Sequence, residues 1–333
     1  MKLHAIGFGA LNLDEFWEVS GDFLAAHGLR VGEEYVRDED WFRRVYPSLA
    51  MQAQMKAIDP GGSAANAMAA LHRMGFDTGF YGTTGQDGVR DLRLEELGDQ
   101  DNLRIRITGR PAGRCLALID RDDRSKDRSL VILPNANDLA GSAPPESSYF
   151  GRAQWVHMTS FVSTHCLQAQ IETARNLAPG TRLSFDPGAV YCRLGFERLA
   201  PILRLTDTLF VTETELRMLT GETGSEPAAG ILFETGVSTV VIKMGGKGIM
   251  AVRPSASIHQ PAVEPAAVRD RTGAGDVAAA GFLAGSLMSL ELEDCLHFAA
   301  ICASRSIEGY GRSTYPDREL LRGYLAVTGS APA

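Results

Sequence analysis

The sequence predicts an α/β fold with a mostly parallel sheet, and two observations support this class. From Trp155 onward, apolar runs of strand length alternate with helical segments, a pattern typical of parallel strands joined by right-handed crossovers. The length of 333 residues suits one large α/β domain with an appendage. We therefore expect one domain over residues 1–333.

Composition and charge exclude several classes of protein. A net charge of −8 argues against a nucleic-acid partner, which would need a basic face. The longest apolar run, Val277 to Leu290, is too short to span a bilayer, and no secretory signal opens the chain. Five cysteines without a C-x-x-C pair favour reduced thiols, so we expect a cytoplasmic protein without nucleic-acid or membrane partners.

The first element is a short buried strand from Leu3 to Phe8, followed by the polar residues Asn12 and Asp14. Polar groups just beyond a strand end lie where open α/β sheets bind ligands. Asp14 fits a turn or cap role equally well. The segment 7–12 also looks like a dinucleotide fingerprint, but its third glycine is missing, so an oxidoreductase is a weak alternative.

The next stretch, residues 15–55, has no clean periodicity, although Trp41 to Met55 suits an inserted helix. Segment 59–66 reads DPGGSAAN: the proline breaks the chain, the glycines allow close backbone approach, and a helix of small residues follows. Taken locally, this is a tight turn into a helix that packs closely on the sheet.

Polar and apolar residues alternate in two segments, Arg104 to Thr108 and Arg114 to Asp120, and this alternation predicts a pair of strands. The charged run from Arg121 to Arg128 is typical of a solvated hairpin tip. Segment 134–137, PNAN, follows the next strand.

Two turns follow strands in the second half. Segment 212–215, TETE, lies at a strand end and helix start, where a carboxylate at Glu215 would complement the helix dipole. Segment 243–248, KMGGKG, joins two strands through a glycine-rich turn. It is not a Walker A loop, because no Lys-Ser or Lys-Thr pair opens a helix.

The most informative segment is 270–281, DRTGAGDVAAAG, in which glycines lead into an apolar helix. The first amides of a helix have no partner within it, and the partial positive charge there suits an anion such as phosphate. Asp276, in the first turn, would either complement the helix dipole or accept a proton from an attacking hydroxyl. Local sequence alone leaves both interpretations open.

Segment 270–276 resembles the signature of the PfkB, or ribokinase-like, family of sugar and nucleoside kinases. The resemblance implies a three-layer α/β/α core with a mostly parallel sheet and a small β lid, here from about 14–56 and 104–132. It implies transfer of the γ-phosphate of ATP to a hydroxyl of a small sugar or sugar-like acceptor. A nucleoside acceptor and a non-catalytic ligand sensor are the alternatives, and the resemblance also allows a homodimer formed through the lid.

The resemblance also assigns roles to individual residues. Asp276 matches the general base, and Gly273, Ala274 and Gly275 match the anion hole that binds the moving phosphoryl group. The substrate-binding candidates are Asn12, Asp14, Gly61, Gly62, Asn66 and Asn137.

On the nucleotide side, the candidates are Thr212, Lys243, Gly245 and Gly248, together with Gly273 and Gly275. Glu215 matches the residue that holds Mg²⁺ through water, although Thr212 stands where the family has asparagine. Where the family binds K⁺, it uses the aspartate that matches Asp270. Arg271 also departs from the family pattern, and we expect it to affect packing rather than chemistry.

Overall fold

The structure is a computed structural model that describes residues 2–121 and 128–328, so residues 122–127 of the predicted hairpin tip lie outside the described part. In chain order its strands are β1 (Leu3–Phe8), β2 (Asn12–Val19), β3 (Glu34–Val36), β4 (Gln54–Gly61), β5 (Thr78–Gly85), β6 (Leu103–Thr108), β7 (Gly113–Asp120), β8 (Arg128–Leu133), β9 (Ala153–Thr159), β10 (Arg182–Asp186), β11 (Thr208–Thr212), β12 (Thr239–Lys243), β13 (Ile249–Arg253) and β14 (Ala256–Gln260).

The α-helices follow the same chain order. They are α1 (Gly21–Ala26), α2 (Glu39–Gln52), α3 (Ser63–Met74), α4 (Ser147–Phe150), α5 (Thr164–Arg175), α6 (Gly188–Cys192), α7 (Phe196–Leu203), α8 (Glu213–Thr220), α9 (Ser225–Phe233), α10 (Ala274–Leu287), α11 (Leu292–Ser306) and α12 (Arg318–Thr328). The helix expected within 41–55 is present as α2.

The large sheet has nine strands in the order β14-β13-β12-β11-β10-β9-β1-β5-β6. Neighbours from β12 to β6 pair in parallel, and only β13 and β14 pair antiparallel at one edge. The predicted mostly parallel sheet is therefore confirmed. Because the strands run the same way, their carboxyl ends meet along one edge.

Each face of the large sheet carries its own hydrophobic core, which makes three layers. Side chains alternate along a strand, so in β1 Ala5 faces one core while Ile6 and Phe8 face the other. The first core is closed mainly by α3, α10 and α11, and the second by α5, α7, α8 and α9. The three-layer α/β/α prediction is confirmed.

A second sheet of five strands has the order β3-β8-β7-β2-β4 and is built from residues 12–61 and 113–133. This differs from the expected lid at one boundary. The strand expected at 104–108 pairs in parallel with β5 and forms an edge of the large sheet. Leu103 and Ile105 pack against the first core, so burial there outweighs closeness in sequence to β7.

One face of the small sheet is covered by helices of the same chain. Its hydrophobic cluster joins Trp17 and Leu118 of the strands to Phe23 of α1 and to Val45 and Leu49 of α2. Helices α1 and α2 therefore occupy this face within one chain, and the homodimer expected through the lid stays a prediction. In the part of the chain that the structure describes, no helix is long and apolar enough to cross a membrane.

Close packing between α10 and α11 depends on glycine. A Cβ on Gly281 would lie 2.8 Å from the Ala299 Cα. Gly281→Ala should therefore destabilise the protein by about 1–3 kcal/mol through overpacking, measured by urea denaturation. Gly230 in α9 is the control, because a Cβ there meets nothing within 4 Å. Gly230→Ala should be neutral or stabilise by a few tenths of a kcal/mol. Equal effects at both positions would contradict the packing argument.

Candidate active site

The carboxyl edge of the large sheet gathers polar residues from three adjacent parallel strands. Asp186 ends β10, Thr212 ends β11 and Lys243 ends β12. Lys243 Nζ reaches across to Asp186 Oδ2 at 2.5 Å. Burial by itself lowers the pKa of Lys243, but the carboxylates of Asp186 and Glu215 outweigh it and raise the pKa above its ordinary value. A fixed positive charge therefore lies at this edge.

The N-terminus of α10 lies beside that charge. Gly273 precedes the helix with a φ of +76°, and a Cβ there would lie 2.8 Å from the Tyr315 hydroxyl. The first hydrogen bond of the helical i to i−4 pattern runs from the Val277 N–H to the Gly273 carbonyl, at 2.9 Å. A Cβ on Gly275 would meet Lys243 Cδ at 3.2 Å and Nζ at 3.6 Å, so the lysine side chain runs along the glycine.

The amides of this turn are not equivalent. The Ala274 N–H donates to the Arg271 carbonyl at 3.3 Å. Within the described residues, the amides of Gly275 and Asp276 have no protein acceptor. The anion hole expected over Gly273, Ala274 and Gly275 thus has its free donors at Gly275 and Asp276, because a turn bond occupies Ala274.

Asp276 lies in the first turn of α10 and is held by α3. Asn66 Nδ2 donates to Asp276 Oδ2 at 2.9 Å, although the two residues are 210 positions apart. Burial raises the pKa of Asp276 to about 6, against the lowering effect of the Asn66 hydrogen bond. The carboxylate is therefore poised to exchange a proton near neutral pH.

Asp14 approaches the same site from β2. A Cβ on Gly61 would lie 2.2 Å from the Asp14 carboxyl carbon, so glycine makes room for it. Gly62, with a φ of +100°, precedes α3, and a Cβ there would lie 2.1 Å from the Ala10 carbonyl. Burial raises the pKa of Asp14 to about 7, opposed by Arg312 and reinforced by Asp276. Asp14, Asp276 and the Gly-Gly turn are therefore brought together.

Asn137 supports the site rather than opening into it. It is buried, and its Nδ2 donates to the Leu11 carbonyl at 3.0 Å and to Asn12 Oδ1 at 2.9 Å. Its Oδ1 accepts from the Leu11 N–H at 2.9 Å. Both amide hydrogens are thus used within the protein, so Asn137 orients Asn12 instead of donating to a ligand.

Thr212 and Glu215 form a reciprocal cap at the start of α8. The Thr212 hydroxyl accepts from the Glu215 N–H at 3.2 Å, and Glu215 Oε2 accepts from the Thr212 N–H at 2.7 Å. The cap uses one carboxylate oxygen, so the other stays available to a hydrated metal. Mg²⁺ usually keeps several waters and takes one or two protein carboxylates, so Glu215 fits this role.

The glycine turn after β12 has two different parts. Gly245 has a φ of +58° and open space where a Cβ would lie. Gly248 has a φ of +106°, and a Cβ there would lie 2.1 Å from the Gln260 carbonyl, so it closes the turn against the end of β14. Gly245 is thus the more accessible of the two nucleotide-side candidates.

Asp270 carries an unsatisfied oxygen. Its Oδ1 accepts from the Thr272 N–H at 2.9 Å and from the Thr272 hydroxyl at 2.7 Å. Its Oδ2 is buried and has no hydrogen-bond partner within the described residues. The Asp270 N–H bonds the Ile307 carbonyl at 3.3 Å, which brings the carboxylate to the turn after α11. An orphaned carboxylate oxygen of this kind fits a cation.

Comparison with known proteins identifies the family. Residues 31–318 match the family described as pfkB family carbohydrate kinase. The chain belongs to the PfkB family. It is therefore a phosphotransferase of the ribokinase-like sugar and nucleoside kinases, and the dinucleotide-dependent oxidoreductase is excluded. A kinase of this family uses ATP and a divalent metal.

Relatives of this PfkB protein cover most of its length. The chain is 32% identical over 272 residues to an ATP-dependent ribose-1-phosphate kinase of Halopiger xanaduensis, covering 80% of this chain and 86% of that protein. The adenosine kinase of Sinorhizobium meliloti has a similar structure, with a TM-score of 0.84 and 20% identity over 99% of this chain and 100% of that one. Arabidopsis thaliana ribokinase, solved with ribose and ATP, gives a TM-score of 0.75 at 23% identity, over 98% and 99%.

Two further charged residues lie at this site of the PfkB protein, and neither was predicted from the sequence. Asp186, the partner of Lys243, ends a parallel strand, and that position was a usable signal for a ligand site. Arg312 donates from Nε to Asn66 Oδ1 at 3.3 Å. No local pattern marks it, because only the folding of the turn after α11 onto α3 brings it there.

The raised pKa of Asp14 makes stability depend on pH. The native carboxyl keeps its proton up to about pH 7, whereas the unfolded one loses it near 3.8. The native state then binds more protons, so the free energy of unfolding falls as pH rises through this window and levels above it. Asp14→Asn should remove this loss. The free energy of unfolding of the variant should therefore rise by roughly 2–3 kcal/mol relative to that of wild type between pH 5 and pH 8.

Urea denaturation at the two pH values measures this difference. The exposed Asp101 supplies the control, and Asp101→Asn should change stability equally at both values. If the Asp14→Asn and wild-type stabilities kept a constant difference from pH 5 to pH 8, the raised pKa would be wrong.

Proposed function

We propose that this chain transfers the γ-phosphate of ATP to a hydroxyl of a small sugar or sugar-like acceptor, with Asp276 as general base. One arrangement carries the proposal: Asp276 is held by Asn66 next to the free amides of α10, and Asp14 faces it from the small sheet. A base, an anion hole and a hydroxyl-binding carboxylate are the parts that this reaction needs.

The acceptor would be held between the two sheets. Asp14 accepts hydrogen bonds from acceptor hydroxyls, and the backbone at Gly61 and Gly62 allows the ligand to approach closely. Asn12, oriented by Asn137, adds an amide at the same end. These contacts place one hydroxyl within hydrogen-bond reach of Asp276.

In the transfer step, an acceptor oxygen attacks the γ-phosphorus. A new oxygen–phosphorus bond forms, the bond from phosphorus to the ADP oxygen breaks, and the hydroxyl proton passes to the Asp276 carboxylate. The Gly275 and Asp276 amides donate to the transferring group, and Lys243, beside Gly275, adds positive charge. Preset donors of this kind stabilise the transition state without reorganising.

Two cations complete the site. Magnesium, held through water by the free oxygen of Glu215, would neutralise charge on the nucleotide phosphates. A monovalent cation, K⁺, would be bound by the orphaned Oδ2 of Asp270. Thr212 keeps its part in this arrangement as a cap, because its hydroxyl fixes the first turn that carries Glu215.

The small sheet acts as a lid over the acceptor in this proposal. Arg128 of β8 lies 3.9 Å from Asp270, and Arg193 lies 3.8 Å from Glu34 of β3. These pairs join the β3–β8 edge of the small sheet to the rest of the chain. A lid held in this way would exclude water and limit hydrolysis of ATP.

A nucleoside is the second candidate acceptor, and one feature of the lid favours it. Phe16 lies two residues beyond Asp14 on the same face of β2, and its neighbours in register are Ala117 and Leu130. This apolar row extends from the hydroxyl-binding carboxylate, as a base extends from a ribose. The similarity in fold to an adenosine kinase agrees with this alternative.

Removing the base tests the mechanism. Asp276→Asn should lower kcat roughly 10²–10⁴-fold, because the amide cannot take the proton. In the wild type, kcat/KM for the acceptor should rise with pH through about 6, where the Asp276 carboxyl of the free enzyme loses its proton, and then level. Initial rates of ADP formation from pH 5 to pH 9 measure both effects.

The matched control is Glu226→Gln, which removes an exposed first-turn carboxylate from α9 and should leave kcat unchanged. Calorimetry with ADP should give similar affinities for wild type and Asp276→Asn. An Asp276→Asn enzyme with near wild-type turnover would refute the general-base assignment.

An acceptor panel tests the substrate class. Ribose, ribose 1-phosphate and adenosine follow the names of the relatives and structural neighbours. We expect ADP release with a free sugar or sugar derivative to exceed that with adenosine by at least tenfold in kcat/KM. The reverse order would establish the nucleoside alternative, and no ADP release above the ATP-only blank with any acceptor would favour a ligand sensor.

A further inference from the structure

Arg312 is a buried arginine that the proposed mechanism does not use. It lies in the turn between α11 and α12, and only 4% of its surface is exposed. A buried guanidinium destabilises the fold unless its charge is paired and its donors are used. Its partners therefore indicate what the arrangement is for.

Three segments meet at this arginine. Its Nη1 donates to Glu96 Oε2 at 3.1 Å, in the 3₁₀ turn Leu94–Leu97, and its Nε donates to Asn66 Oδ1 at 3.3 Å. Its carbonyl accepts from Arg73 Nη1 at 3.1 Å. The contacts to Glu96 and Arg73 join the turn to the rest of the core, whereas the contact to Asn66 leads to the site.

The contact to Asn66 determines which way its amide points. A guanidinium has only donors, so the Asn66 oxygen must face Arg312. The NH₂ group is then left to donate to Asp276 Oδ2, as observed at 2.9 Å. A flipped amide would point its oxygen at the carboxylate and its NH₂ group at the guanidinium, losing both hydrogen bonds. Without Arg312, the contact to Asp276 would be left as the one of these two that disfavours the flip.

The turn that carries Arg312 also lies near Asp14, because a Cβ on Gly311 would lie 2.5 Å from the carboxyl carbon of Asp59, which pairs with Asp14 in register. Burial raises the pKa of Asp14, and Arg312 is the largest influence that opposes it. The other charged or titratable groups around Asp14 come from every neighbouring element: Asp276, Asp270, Arg128, Cys115, Asp59 and Tyr315. Most of them are acidic, so the guanidinium limits the repulsion among carboxylates that the site requires.

We propose that Arg312 is a positioning residue for phosphoryl transfer, holding the Asn66 amide with its NH₂ group on Asp276 and supplying positive charge near Asp14. This inference rests on the proposed function, in which Asp276 is the base. The competing interpretation is a purely structural one, in which Arg312 only fastens the turn to Glu96.

The test compares Arg312→Met and Arg312→Lys with Glu96→Gln, which weakens the structural contact by removing its negative charge but leaves the contact to Asn66. Arg312→Met should lower kcat by roughly 10–100-fold. It should also move the acid limb of the kcat/KM profile for the acceptor up by about one pH unit, because the carboxylates lose a counter-charge. Arg312→Lys should keep the limb near its wild-type position, with partial recovery of kcat.

Glu96→Gln should lose stability in urea without moving the acid limb. The positioning role is overturned if Arg312→Met keeps the acid limb of wild type and its rate loss follows its loss of stability, as for Glu96→Gln.

A double-mutant cycle tests the route through Asn66. If Arg312 acts through Asn66, Asn66→Ala with Arg312→Met should be about as slow as Asn66→Ala alone. If the two rate losses multiply in the double variant, that route is overturned.

One measurement separates failure of this inference from failure of the proposed function. Urea denaturation of Arg312→Met at pH 5 and pH 8 needs no acceptor. If Arg312 faces Asp14, the variant should lose more stability at pH 8 than at pH 5, and Asp14→Asn should abolish that difference. A difference that persists with Asp14→Asn, or none at all, overturns the charge role even if the kinase activity stands.

Discussion

The hydrogen bond from Asn66 to Asp276 is the interaction on which the rest of the site depends. It joins α3, which starts at the end of the small sheet, to α10, whose first turn carries the free amides. Through it, the carboxylate, the free amides and the small sheet meet at one point. Burial raises the pKa of Asp276, and this hydrogen bond opposes the rise, so the same contact sets both geometry and protonation.

The surrounding charges are arranged around that contact. Lys243, paired with Asp186, lies beside Gly275 on the phosphate side, whereas Arg312 lies beside Asn66 on the acceptor side. Each cation is held in place by a carboxylate of its own, Asp186 or Glu96. The site thus keeps positive charge near its acidic groups without leaving a buried cation unpaired.

The fold has a cost that follows from function. Asp14 and Asp276 have raised pKa values, so ionising them near neutral pH destabilises the native state. The remainder of the fold offsets this with two large cores, one on each face of the nine-stranded sheet, and with a third cluster on the lid. Because α1 and α2 belong to that third cluster, the small sheet buries one of its faces within one chain.

Sequence alone was sufficient for the fold class, and it named most of the residues that the structure brings together around Asp276. The α/β alternation predicts the parallel sheet, and the motifs at 59–66 and 270–276 carry their own signals, because glycines and helix starts are local features. The sequence did not decide whether 41–55 holds a helix, because that stretch has no clean periodicity. The strand at 104–108 was predicted, but its place in the large sheet was not, since its partner depends on where its apolar face is buried.

Other features were decided only by tertiary structure. Asn137 donates a hydrogen bond to Asn12, and the Ala274 amide donates to the carbonyl of Arg271 in the preceding turn. Neither contact could be predicted, because hydrogen-bond partners depend on distances that no motif encodes. Arg312 became part of the site through a turn 246 residues away from Asn66. Residue types and spacing therefore determined which chemical groups this protein carries. Packing decided which of them face one another, because burial and charge act through space rather than along the chain.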